Sequence, residues 1–281
     1  MFNQNIKTPV NIPVSKIHPF EGNPYKVLDN DEMNILIGSI QEQGILTPII
    51  IRPIENTDEY EVISGHRRLH AIVKAGMKEV PAFIYAVTRD EAAIMLVDSN
   101  LHREHILPSE KAFAYKLKLE AMKHQGITCG QVGHKSRDEI SDTDSGRQIQ
   151  RYIRLTYLIP ELLDLVDEEK IALTPAVELS YLTDEEQYAL LGSIEVEDRT
   201  PSLSQAVRFK KLSQTGNLSD DDIETIMQED KANQKPMFKV SMEKLQEIAP
   251  RVKDKDFEDF VLKACEHYYR YLLRQRDRDS R

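Results

Sequence analysis

Over the first hundred residues, short apolar runs alternate with segments whose apolar residues recur every three or four positions, a pattern that predicts a mixed layer of strands and helices. Runs at 11–14, 49–52, 59–64 and 80–87 read as strands. Between them, Met33, Leu36, Ile37 and Ile40 share one face of a helix over 31–43, which Gly44 ends. A second helix over 66–74 stops at Gly76, and a third over 90–102 groups Ala93, Leu96 and Val97. From Pro108 onward strand signals nearly vanish. A helix over 109–124 follows Pro108, Thr174-Pro175 opens another, Thr183 with Glu186 forms a capping box, and Ser202 and Ser219 begin two more. A polar stretch at 229–236 precedes a segment, 241–281, long enough for two helices. The expected fold is therefore an α+β N-terminal domain over 1–105, an all-α domain over 106–215 and a helical C-terminal segment over 216–281.

Composition narrows the class without naming a chemistry. With 40% apolar and 30% charged residues, the chain has the balance of a globular protein. No apolar run approaches a membrane span, and the first residues lack the pattern of a secretory leader, so a cytoplasmic protein is expected. Cys129 and Cys265 have no Cys or His partner at metal-ligand spacing and read as reduced thiols. A net charge of −10 repels a polyanion at long range, so any nucleic-acid contact must be a concentrated basic patch. Acid gathers at 219–224, while Arg270, Arg274, Arg276, Arg278 and Arg281 make the C-terminal end basic.

Two polar clusters in the first domain carry candidate chemistry. The strand ending at Ser64 delivers Gly65 to the start of a helix whose first residues are His66, Arg67 and Arg68. A glycine permits close approach to the backbone, the first amides of a helix have no internal partner, and guanidinium forks match phosphate oxygens. Two arginines at a helix start are more often plain surface charge. The second cluster, Ser99 to Glu104, puts Asn100, Arg103 and Glu104 at i, i+3 and i+4, which on a continuing helix is one polar face.

A third candidate lies at 145–155. Ser145 and Gln148 have capping-box spacing, Arg147, Gln150, Arg151 and Arg154 fall on one face, and Ile149, Tyr152 and Ile153 fall on the other. Arg and Gln can each make paired hydrogen bonds to guanine and adenine edges, so such a helix suits a major groove, with Gln148 in its first turn a further reader. A basic solvent face is the alternative. The helix that should precede it starts near Thr128 but holds Gly130 and Gly133, and Lys135 and Arg137 in the following loop are phosphate-contact candidates set against four nearby acids.

The segment from Gly44 through Arg52, then Tyr60 to Ala71 with Gly65-His66-Arg67-Arg68 at its centre, then Val80 to Phe83, then Asp98 to Ala112, resembles in order and spacing the N-terminal half of ParB partition proteins, and the resemblance continues to about residue 212. It implies a ParB/sulfiredoxin-like N-terminal fold followed by a helix-turn-helix domain. It further implies CTP and Mg2+ as ligands, with Gly44, Thr47, Pro48, Gly65, His66, Arg67, Arg68, Asn100, Arg103 and Glu104 around the nucleotide and Asn100 toward the metal. It places Ser145, Arg147, Gln148, Gln150, Arg151 and Arg154, with Lys135 and Arg137, on double-stranded DNA carrying a specific palindromic site. The implied protein is a nucleoid-associated homodimer acting in partition of a plasmid, chromosome or mobile element with a partner ATPase. Two positions depart from the family pattern: His66 stands where Glu is usual in Gly-Glu-Arg-Arg, and Ser99 stands where Glu is usual in Glu-Asn-Leu-Gln-Arg. A hydroxyl is a poor base, so binding with slow or absent hydrolysis is expected. The other readings are a sulfiredoxin-fold nucleotide-dependent enzyme and a plain transcription regulator with a vestigial nucleotide site.

Overall fold

The structure is a computed structural model that describes residues 8–103, 105–125, 144–229 and 257–279, with positions 246, 248, 249 and 252. The expected helix start near Thr128, together with Glu104, Lys135 and Arg137, lies outside the described residues. Residues 1–229 form one compact unit and 230–281 a second.

The first unit opens with five strands: β1 (Val10–Pro13), β2 (Ile17–His18), β3 (Ile49–Pro53), β4 (Tyr60–Ser64) and β5 (Glu79–Ile84), interleaved with α1 (Asp31–Gln43), α2 (His66–Lys74) and α3 (Arg89–Asn100). They form one mixed sheet in the order β1-β5-β3-β4-β2. Antiparallel β3 and β4 pair around a bulge between Ile50 and Ile51, while β5 returns through α2 to lie parallel to β3 on its other side. β2 is too short to leave an apolar rhythm and was not expected from the pattern. The sheet and α1–α2 enclose a core of Ile49, Ile51, Val62, Ile72, Val80 and Met33. A second core, with Ile63, Leu96 and Val97, joins the sheet to α3 and to α4 (Pro108–His124).

Helix boundaries follow local chemistry. α1 is capped by Asn30, whose side chain accepts from the Met33 amide, and ends at Gly44 with φ 71°. α3 starts one residue before its expected first position because Thr88 and Glu91 form a capping box. It ends at Asn100 rather than 102, so Arg103 meets Asn100 through a turn, its amide donating to the Asn100 carbonyl (3.1 Å). Proline at the first position of α4 is the expected start signal. Beyond it, α5 (Gly146–Arg154), α6 (Pro160–Asp167), α7 (Leu173–Leu179), α8 (Asp184–Glu197), α9 (Leu203–Gln214) and α10 (Asp220–Gln228) share a core including Leu155, Leu162, Leu190, Phe209 and Ile226. The capping boxes at Thr183, Ser202 and Ser219 all form. α10, which lies past residue 215, packs on α8 within this unit. In the second unit, α11 spans Phe257–Asp279. The architecture is thus an α/β N-terminal domain followed by helices, and among the described residues no helix is long and apolar enough to cross a membrane.

Candidate functional site

A cleft of about 570 Å3 opens where β4 ends and α2 begins, and it brings the two polar clusters together. Ser64, Gly65, His66, Arg67 and Arg68 line one wall, Ser99, Asn100 and Arg103 another, and Glu32, Ile35, Leu36 and Ser39 of α1 a third. It continues along Asn23, Tyr25, Lys26 and Val27, which share Gly65, Arg67, Asn100 and Arg103 as neighbours. Gly65 caps α2 in a left-handed conformation (φ 105°, ψ 26°). A Cβ there would lie 2.8 Å from Cγ2 of the buried Ile49. Both observations require glycine and leave the α2 N-terminus bare toward the cleft.

The arginines differ in their present partners. Arg68 donates through Nη1 to the carbonyl oxygens of Thr47 and Pro48 (2.8 Å to the latter) and thereby fixes the loop that follows Gly44. Burial lowers its pKa from the ordinary guanidinium value. Arg67 pairs with Glu32 at the rim (3.0 Å), where both side chains are open to water and the pair is weak. The Arg103 guanidinium stacks over the Tyr25 ring, 5.5 Å from its centre. Asn100 is buried, and its amide nitrogen donates to the Leu96 carbonyl (2.7 Å). The carbonyl oxygen is therefore the atom left to face a ligand. Ser99 donates its hydroxyl to the same Leu96 carbonyl (3.0 Å).

His66 does not face the cleft as a free base. The Phe20 amide donates to its Nε2 (3.3 Å), and burial, reinforced by the Arg103 charge, pushes its pKa down to about 4. It is neutral at pH 7 and anchors the segment at Phe20. The same segment is held by Glu61, whose carboxylate accepts from the Glu21 amide (3.0 Å) while pairing with Arg52 (2.8 Å), both side chains being buried. Arg89 adds a hydrogen bond to the Glu21 carbonyl (3.1 Å) and lies over the Phe20 ring. One turn further on, Lys26 reaches the helices: its amide donates to Glu110 (2.9 Å) and its ammonium sits between Asp164 and Asp167.

The His66 contact predicts a specific pH dependence. An unfolded histidine titrates at its ordinary value of 6.5 and this one at about 4, so the unfolded chain binds more protons between those values. Stability present above pH 6.5 is then lost as the pH falls toward 4, by about 2 kcal/mol already at pH 5. His66→Gln keeps an acceptor for the Phe20 amide without a titrating ring, and urea melts of this variant at pH 7.5 and pH 5 are expected to show a correspondingly smaller difference.

The third candidate is placed on α5. Ser145 accepts from the Gln148 amide (3.3 Å), but the Gln148 side chain accepts from Arg151 (3.1 Å) instead of closing the capping box. Arg147 is exposed, Gln150 and Arg151 are partly covered, and Arg151 also donates to Thr174 on α7. Arg154 is drawn away from solvent: it donates to the Ser180 hydroxyl (3.0 Å) and carbonyl (2.7 Å) and packs on the rings of Tyr157 and Tyr181. It ties α5 to the end of α7 rather than extending the open basic face.

The family model of the ParB N-terminal domain matches residues 2–101, the stretch that builds the sheet and most of the cleft. This chain carries a ParB N-terminal domain over residues 2–101. The chromosome-partitioning protein Spo0J of Thermus thermophilus is 33% identical over 162 residues, 58% of this chain and 56% of that protein. The nucleoid occlusion protein of Listeria monocytogenes is 33% identical over 131 residues, 47% of this chain and 45% of that protein. The chain thus spans about half the length of the curated relatives it matches. Among solved structures, the C-terminally truncated chromosome-partitioning protein ParB from Caulobacter crescentus complexed to the centromeric parS site is 20% identical, covering 78% of this chain and 98% of that one at a TM-score of 0.42. A likeness that loose carries no residue-level argument.

Within the ParB N-terminal domain, sequence reasoning missed the α1 wall and the segment from Phe20 to Val27. Ile35 did leave a signal. It is an apolar residue on the face of α1 opposite Met33 and Ile40, and it is 73% exposed beside the cleft. The Phe20 segment left none, because long-range hydrogen bonds place it.

Proposed function

We propose that this protein binds CTP in the cleft, binds double-stranded DNA through α5, and acts as a ParB-type partition protein. The observation that carries this reading is the convergence of the glycine-capped α2 N-terminus with Arg67, Arg68, Arg103 and Asn100 in one cleft of nucleotide size. The bare amides and guanidinium groups suit a triphosphate, and the apolar edge made by Ile35 and Leu36 suits a base. Arg68 in addition orders Thr47 and Pro48 beside the ligand.

Magnesium would arrive with the phosphates. Among the described residues no three His, Cys, Asp or Glu side chains cluster as ligands, which fits an ion held largely by phosphate oxygens and water, with Asn100 Oδ1 as the side-chain ligand. Bound there, it would neutralise phosphate charge. Ser99 donates its hydroxyl to Leu96, and the His66 acceptor nitrogen is taken by Phe20. Neither group serves as a base for water, which supports a binding switch with little or no turnover.

On α5, Ser145, Arg147, Gln148, Gln150 and Arg151 form the proposed reading edge of a helix-turn-helix, with Lys135 and Arg137 on phosphates and Arg154 as the strut behind it. A homodimer on a palindromic site, associated with the nucleoid in the cytoplasm and served by a partition ATPase, completes the proposal. DNA recovered with the protein from cells should share a short palindrome, and no enriched sequence would remove the DNA half of the reading. Arg67→Ala with Arg68→Ala is expected to leave site recognition intact while abolishing CTP-dependent retention on closed DNA circles. Unchanged retention would count against a nucleotide switch.

A further inference from the structure

Elsewhere in the first unit, α8 and α10 border a groove of about 340 Å3 that the nucleotide and DNA readings leave unused. Ala189, Gly192, Ser193 and Val196 of α8 line it, and its rim carries Glu197, Asp220 and Glu224. Three features set it apart. Ser193 is 8% exposed, and its hydroxyl is the one buried side-chain polar atom without a hydrogen-bond partner among the described residues. Leaving such an atom without a partner is unfavourable. A Cβ added at Gly192 would meet no atom within 4 Å, so glycine is not needed for packing and weakens the middle of a helix. Val196, at 83% exposure, leaves an isolated apolar surface beside it. None of the three rim carboxylates is in an ion pair among the described residues; Glu197 only accepts from Gln228 (3.2 Å).

We infer that this groove is a docking site for a basic amphipathic segment of a partner protein. The missing Gly192 side chain lets a partner backbone come close, Ala189 and Val196 receive its apolar residues, and Ser193 supplies the hydrogen bond that its present surroundings do not use. The unpaired Glu197, Asp220 and Glu224 complement lysine or arginine flanking that contact, and they steer a cationic segment toward it. Charge complementarity together with an unsatisfied buried hydroxyl favours a basic peptide over a purely apolar one, which would leave the rim carboxylates facing carbon.

The test uses the full chain and a fluorescein-labelled synthetic helix of alanine and leucine with lysine at every fourth position, followed by fluorescence anisotropy. Saturable binding is expected, lost in the same peptide with glutamate for lysine. Gly192→Leu, which fills the groove at constant charge, should weaken binding by about tenfold or more, and Ser193→Ala by several-fold without lowering the melting temperature. Should Gly192→Leu fail to fold, Glu197→Gln with Glu224→Gln on the exposed rim provides the same comparison. Absence of saturable binding overturns the inference. So does binding that survives these substitutions unchanged, since general attraction to an acidic protein would then explain it.

Discussion

Gly65→Ala is expected to lower the melting temperature by roughly 5–15 °C and to abolish nucleotide binding. Two costs add. A non-glycine residue in the left-handed region is disfavoured by about 1–2 kcal/mol, and the new Cβ would sit 2.8 Å from Cγ2 of Ile49, which is 0% exposed and cannot yield without moving β3. Overpacking of that kind costs about 1–3 kcal/mol. The same methyl group projects at the α2 N-terminus, where the proposed phosphate must approach the amides. Gly76→Ala is the informative control: its φ of 72° at the end of α2 carries the conformational cost, but a Cβ there meets nothing within 4 Å. Its melting temperature should fall by less than half as much, as measured by calorimetry on both variants. Equal shifts would mean that backbone conformation, and not the approach to Ile49, makes Gly65 necessary.

Glu61→Ala is expected to destabilise the fold by about 3–5 kcal/mol, because it leaves the Arg52 guanidinium buried without its counter-charge. The substitution also removes the acceptor for the Glu21 amide, and so loosens the Phe20–Val27 segment at one of its anchors. Arg52→Met with Glu61→Leu separates the two effects. An apolar pair of similar volume should recover most of the stability, yet it offers Glu21 nothing. Urea denaturation should therefore show a nearly restored midpoint while CTP affinity stays reduced. Restoration of both would assign Glu61 to stability alone.

The sequence was most legible where local rules decide structure. The three- and four-residue rhythm of Met33, Leu36, Ile37 and Ile40 found α1 to the residue, and the glycine and capping signals at Gly44, Thr183, Ser202 and Ser219 found helix ends. The cleft was half legible. Gly65, Arg67 and Arg68 could be named because a strand–glycine–helix turn suits an anion, and Asn100 and Arg103 were joined to them only through the resemblance to ParB proteins. The rest was set by distant contacts. His66 was read by its place in a motif, as a substitute for a carboxylate, whereas its partner is the Phe20 amide, 46 residues away. Arg154 was read by helical phase as part of an open basic face, but periodicity cannot reveal that Ser180, Tyr157 and Tyr181 surround it. The capping box at Ser145 failed for a similar reason: Arg151 is a charged competitor for the Gln148 oxygen.

The central claim is that the cleft is a triphosphate site built on Gly65 and the arginines around it. Its most direct test is equilibrium titration of the purified full chain with labelled CTP and magnesium, in parallel with Arg67→Ala and Arg68→Ala. Saturable binding that unlabelled CTP displaces better than ATP, GTP or UTP is predicted, weakened by about tenfold or more in each variant without loss of folded structure. No saturable binding, or equal affinity in the wild type and both variants, would contradict it.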